Sequence, residues 1–223
     1  MSIHLQRDLQ SLQQHVLAQS SVVEDMIRKA CRAIRGLRPQ LVAEIMAHEH
    51  LVDEREVRIE EDCLKILALH QPVAVDLRRT ATVMKINNDL ERIADLAVNI
   101  AERAQDLSPF PEFVVPEAFD RMAYLTVTMV QEALNALVKL DVEAARKVCL
   151  RDEEVDALNR GVIGEMRTVM RTHPELIEAA LNLFSASRHV ERIADHATNI
   201  AEDVIYLVNG EIARHKHGLH PIP

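Results

Sequence analysis

The chain has no tryptophan, only two tyrosines and four phenylalanines, and only five glycines among its 223 residues. With so few aromatic side chains and turn-forming glycines, and ample Leu, Ile, Val, Ala and Met, the composition favours a core built from helices, and a chain of this length can bury a substantial one. The expected fold class is all-α. No stretch approaches the roughly 18 apolar residues that span a bilayer, and the opening "MSIHLQRDLQ" carries charges where a signal peptide needs an apolar run, so a cytoplasmic location is expected. The three cysteines, Cys31, Cys63 and Cys149, are odd in number, far apart and outside any CxxC, which reads as small buried apolar residues in a reducing compartment. Positive charge is also short. A formal charge of −9 repels nucleic acid and anionic lipid, and no basic run with interleaved aromatics offsets it.

Apolar residues recur at helical spacing throughout. Leu5, Leu9, Leu12, Val16, Val23, Met26, Ala30, Ile34 and Leu37 mark a first helix, and Pro39 stands where a second would begin. The second runs through Leu41, Ile45, Val52, Ile59, Cys63 and Ile66 to the break at "HQP", His70 to Pro72. Val83, Ile86, Leu90, Ala94, Ala97, Ile100 and Ala104 mark a third. The segment "LSPFPEFVVPE" then puts three prolines into eight residues and reads as a connection. The same layout follows it: a fourth helix from Phe119 to Leu140, a fifth from Val148 to Val169 ending at "THPE", and a sixth from Ile177 to Leu207 with Gly210 as its stop. The predicted organisation is a three-helix bundle over 1–107, a proline-rich linker over 108–116 and a second three-helix bundle over 117–223. Aligning Asp53 with Asp156 also matches Cys63 with Met166 and Met26 with Met129, so the halves are duplicates.

The pentapeptide "ERIAD" occurs twice, at Glu91–Asp95 and Glu191–Asp195, and continues as "LAVNIAER" and "HATNIAED". The middle helix of each half carries a second pair with the same spacing, Glu49 and Asp53, then Asp152 and Asp156. Acids at i and i+4 share a helix face, and like charges there cost about 0.2–0.5 kcal/mol per pair unless something neutralises them. The first-half pairs centre on residues 51 and 93, whose mean is Pro72 in the predicted turn. The second-half pairs centre on 154 and 193, whose mean falls between His173 and Pro174. Residues equidistant from a turn lie level in an antiparallel hairpin, so each half should gather four carboxylates on one patch. A single such pair is ordinarily a solvated face. Four pairs level across two hairpins point instead to hard-cation sites, because a cation removes the repulsion and helical carboxylates can bridge more than one ion.

Asn99 and Asn199, four residues beyond each Asp, extend that face as possible neutral ligands or supporting groups. His48, His50, His189 and His196 flank the acids but point elsewhere around their helices and do not recur between halves, so solvated or locally bonded roles are expected. The terminal "ARHKHGLH" reads as a short flexible tail rather than a metal-capturing one. No glycine-rich phosphate loop and no clustered arginine site is evident, so direct phosphate binding is not expected.

The stretches "NNDLERIADLAVNIAERA", "HQPVAVDLRRTATVMKI" and "HVERIADHATNIAEDVIYLVNGEIARH", set in two helical halves, resemble the PhoU family of phosphate-transport accessory and regulatory proteins over nearly the whole chain. The resemblance implies two related three-helix bundles whose E(D)xxxD motifs bind multinuclear clusters of iron or zinc, or magnesium or manganese. The ligands would be Glu49, Asp53, Glu91 and Asp95 in one half, and Asp152, Asp156, Glu191 and Asp195 in the other. It also implies a regulator rather than an enzyme: a homodimer that couples a phosphate ABC transporter ATPase to a sensor histidine kinase, while the charge of −9 leaves any membrane attachment to those protein partners. In high phosphate it would keep the starvation response off. The turn "QPVAVDLR", Gln71 to Arg78, has no counterpart in the second half. Two other readings remain at this point. A carboxylate-bridged di-metal enzyme of ferritin-like type would need Glu-x-x-His pairs, which are missing here; a metal-free helical adaptor would simply leave the acids solvated.

Overall fold

The structure is a computed structural model that describes residues 3–36 and 39–211. Six long helices account for most of the described chain: α1 (Ile3–Gly36), α2 (Pro39–His70), α3 (Ala74–Asp106), α4 (Glu117–Lys139), α5 (Val142–Thr172) and α6 (Ile177–Asn209). A single 3-10 turn, Pro174–Leu176, leads into α6. Leu37 and the tail from Ala213 to His220, both read above from sequence, lie outside the described residues.

Each helix is fixed by its apolar stripe and ended by its local chemistry. On α1 the buried residues Leu5, Leu9, Leu12, Val16, Val23, Met26, Ala30 and Ile34 follow the 3,4 spacing of one face. The α4–α5 junction turns sharply because Leu140 takes a left-handed conformation (φ 53°) and the Asp141 carboxylate accepts a hydrogen bond from the Ala144 amide at 3.0 Å. Gly210 ends α6 at φ 77°, its amide donating to the Tyr206 carbonyl at 2.8 Å; Gly is suited there because it carries no Cβ to clash. The α2–α3 turn differs from the sequence expectation. Much of "QPVAVDLR" belongs to the helix, since α3 starts at Ala74, and the chain enters it through left-handed backbone at Gln71 (φ 43°) and Ala74 (φ 49°).

Helices α1, α2 and α3 pack on one another, as do α4, α5 and α6, and the two sets meet chiefly where α3 lies against α6. One continuous core draws residues from all six helices. α3 and α6 therefore bury more than one stripe: Ile93, Ala94, Leu96, Ala97, Ile100 and Ala101 are all buried on α3, as are Ile193, Ala194, Ala197, Ile200 and Ala201 on α6. The contacts Lys85–Asp203 and His196–Asp89 make α3 and α6 antiparallel and set residue 93 about level with residue 193. The two "ERIAD" copies thus occupy equivalent places in the centre of the molecule. Their Ile-Ala portion is required by the helix–helix interface, and the acids face away from it.

The sequence reading of histidine as locally bonded does not hold for His196, which pairs with the buried Asp89 across this interface at 2.8 Å. His15–Asp62 and His70–Asp8, each 2.9 Å, likewise tie α1 to α2. His189 keeps a local Ser185 contact at 3.3 Å, His48 is half-buried and His50 exposed. Of the cysteines, only Cys63 is fully buried; Cys31 and Cys149 are half-buried. Desolvation pushes all three thiols up, to about 12 for Cys31 and Cys63 and about 11 for Cys149, so they stay protonated near neutrality.

Candidate metal centre

Helices α2 and α3 form the first acidic hairpin, α5 and α6 the second. The turns between them fall at residues 71–73 and 173–176, where the spacing argument needs them. Glu49, Asp152, Asp156, Glu91 and Glu191 are half-buried on these faces, Asp95 also, while Asp53 and Asp195 are exposed.

The second hairpin brings its four carboxylates into mutual electrostatic contact. Asp195 is pushed up to about 6, first by desolvation and then by the charges of Asp152, Glu191 and Asp156, with His196 opposing. Burial raises Asp152 as well, helped by Asp156, Glu191 and Glu153, with the neighbouring Thr198 hydroxyl opposing the rise. In the first hairpin Glu49 is raised by desolvation, then by Asp53, Asp95 and Glu102. Glu91 is raised by desolvation, Asp95 and Glu56. Both faces therefore concentrate negative charge on partly dry helix surface, the condition a bound cation would relieve.

As they lie, the side chains do not converge on one point: among the described residues no group of three or more His, Cys, Asp or Glu is arranged to hold a metal ion. Arginines supply the nearest countercharge. Arg92 reaches Glu91 at 3.4 Å and Asp95 at 3.6 Å, Arg160 reaches Asp156 at 3.9 Å, and Arg188 donates to Glu191 at 2.8 Å. All three guanidinium groups are well exposed, so these pairs are weak and would swing aside readily. The donor chemistry fits a hard cation; the rotamers would have to turn toward it.

Three acids escaped the spacing argument. Glu56 joins the first face, accepting from the Asn87 amide through its backbone carbonyl at 2.9 Å and raising Glu91. Glu102 raises Glu49, and Glu202, its counterpart in the other half, raises Cys149. The signal for the last two was present in the repeated "NIAE", which sets an acid seven residues, two helical turns, beyond each Asp. The asparagines do not act as a pair. Asn99 donates to the Asp95 backbone carbonyl at 2.9 Å, whereas Asn199 turns toward Asp89 at 3.5 Å across the α3–α6 interface.

Two tandem three-helix bundles fused along α3 and α6, each with a carboxylate face on its second hairpin, define an all-α, internally duplicated class of acidic bundle protein. Comparison with known proteins narrows the class. The PhoU domain matches residues 17–104 and again 119–204, and the chain belongs to the PhoU family. A phosphate-specific transport system accessory protein PhoU homolog of Pseudomonas aeruginosa is 36% identical over 211 residues, covering 93% of this chain and 86% of that one. Its namesake in Aquifex aeolicus is also 36% identical, over 95% of this chain and 96% of its own. The crystal structure of PhoU from Pseudomonas aeruginosa superposes with a TM-score of 0.88 at 35% identity, covering 92% of this chain and 99% of that one. The phosphate transport system regulatory protein PhoU from Streptococcus pneumoniae gives 0.87 at 26% identity over 93% and 98%.

Proposed function

We propose that this protein is a cytoplasmic, metal-binding regulator of phosphate homeostasis that acts by binding, not by catalysis. It would associate with the ATPase of a phosphate ABC transporter and with the sensor histidine kinase of the phosphate response, holding that response off when phosphate is plentiful. Its relatives are named as accessory and regulatory proteins of phosphate transport, which supports the transporter-associated part of this reading. The metal part rests on one observation: burial, together with the charges of Asp152, Glu191 and Asp156, pushes Asp195 up to about 6. Those four, and Glu49, Asp53, Glu91 and Asp95 in the first half, would hold iron, zinc, manganese or magnesium. A bound ion would supply fixed positive charge on an otherwise repulsive face, locking α2 to α3 and α5 to α6 and offering a docking surface.

No helix among the described residues is long and apolar enough to cross a membrane. Membrane attachment would run through protein partners, and a homodimer is part of the same proposal. The test is affinity capture of the tagged protein from phosphate-replete cells, with metal analysis of chelator-free preparations. Recovery of the transporter ATPase and the sensor kinase, with several metal ions per chain, is expected. Metal-dependent oxidase turnover with neither partner captured would overturn the reading.

A further inference from the structure

The sequence shows no obvious arginine cluster, and the structure corrects that. Arg28, Arg32 and Arg35 stand at i, i+4 and i+7 on α1 and line one side of a groove of about 1100 Å³, whose other side is α4 with Asp120, Ala123, Tyr124, Val127 and Thr128. The two helices run antiparallel here, bridged by the Arg35–Asp120 ion pair at one end and by a 3.0 Å hydrogen bond from Gln131 to Glu24 at the other.

Bundle packing does not explain the arginines. In the register that matches Met26 with Met129, their counterparts on α4 are Gln131, Asn135 and Val138, all uncharged, although α4 plays the same part in its own bundle. Arg35 is accounted for by Asp120 and by the negative end of α1, whose field fades within the last turn. Arg28 and Arg32 lie one and two turns further in. Arg28 has only a loose contact with Glu24 at 3.7 Å, and Arg32 has no ion pair among the described residues. On a chain of charge −9, this groove holds three guanidinium groups against Asp120, with Glu24 at its edge.

The second observation is Tyr124. Aromatic residues are scarce in this protein, and Tyr124 stands 77% exposed on the groove wall opposite Arg28 and Arg32. A guanidinium fork matches phosphate oxygens, and an exposed phenol ring offers a face on which a nucleobase stacks. The groove is open to solvent and roomy enough to admit a small organic ligand along its length. We propose that the α1–α4 groove binds a nucleoside polyphosphate, its phosphates held by Arg28 and Arg32 and its base stacked on Tyr124. The inference does not depend on the carboxylate faces, which lie on α2, α3, α5 and α6, nor on the proposed role in phosphate transport.

The test is calorimetric titration of the full chain, after chelator treatment, with ATP, tripolyphosphate, adenosine and inorganic phosphate at about 0.15 M salt. ATP should bind most tightly. R28A/R32A should weaken both ATP and tripolyphosphate by about 10-fold or more, since each charge-assisted pair is strong. Y124A should weaken ATP about 5- to 100-fold, the range of a lost stacked base, and leave tripolyphosphate unchanged. Circular dichroism and K65A, an exposed charge on α2, serve as folding and charge controls. Absence of ATP binding up to millimolar concentration, or ATP binding indifferent to R28A/R32A, would overturn the proposal. Equal binding of ATP and tripolyphosphate with no effect of Y124A would overturn the assignment to a nucleotide.

Discussion

Replacing Asp195 with Asn is the sharpest probe of the carboxylate faces. The Asp195 carboxyl is pushed up to about 6 from an ordinary 3.8, so the folded chain holds its proton more tightly than the unfolded chain does. Between those two values the folded state binds more protons, and stability must therefore fall as pH rises through the interval and stay reduced above it. A gap of about 2 units corresponds to at most about 3 kcal/mol. Asp195 is exposed by area, so solvent screening brings the expected penalty to about 1 kcal/mol. Asp195→Asn should thus make the metal-free protein more stable by about 1 kcal/mol near pH 7, a rise of roughly 2–4 °C in melting temperature for a chain of this size. Near pH 4 the gain should shrink toward zero, because the wild-type carboxyl is then largely protonated. The assay is thermal or urea denaturation of chelator-treated protein across this range, repeated with Mn²⁺. In its presence wild type should gain stability and the variant should gain less, since a ligand stabilises only through its affinity for the folded state. A variant less stable than wild type at neutral pH, or a difference that does not change with pH, would refute the crowding argument.

Other perturbations separate the parts of the account. Asp95→Asn should leave the metal-free protein as stable as wild type or more so by a few tenths of a kcal/mol, and should blunt the melting-temperature rise with Mn²⁺ or Fe²⁺. His196→Ala removes the main partner of the buried Asp89 and should cost about 1–3 kcal/mol in denaturation, with Asn199 at 3.5 Å as partial compensation. Phe119→Ala empties a fully buried site in α4 and should cost about 3–5 kcal/mol in urea melts without changing metal content.

The helices and the acidic hairpins were legible because both are local. Leu9, Leu12 and Val16 recur with the helix period, "HQP" and "THPE" break it, and two acid pairs equidistant from a turn must lie level whatever the rest of the molecule does. The α3–α6 interface depends on how two bundles dock, which no period encodes directly. A partial signal existed in "IADLAVNIA", apolar on too many sides for a helix with one buried face. His196 pairs with Asp89, 107 positions away, so neither residue's neighbours announce the other. Arg28, Arg32 and Arg35 share a visible spacing on α1, but the groove they line exists only because α4 of the other bundle forms its far wall.

The regulatory claim is tested most directly by the output of a phosphate-starvation reporter in a strain lacking this protein, grown in high phosphate and complemented with wild type. Constitutive expression in the deletion and full repression on complementation are expected. A reporter that stays repressed in high phosphate without the protein would contradict the claim.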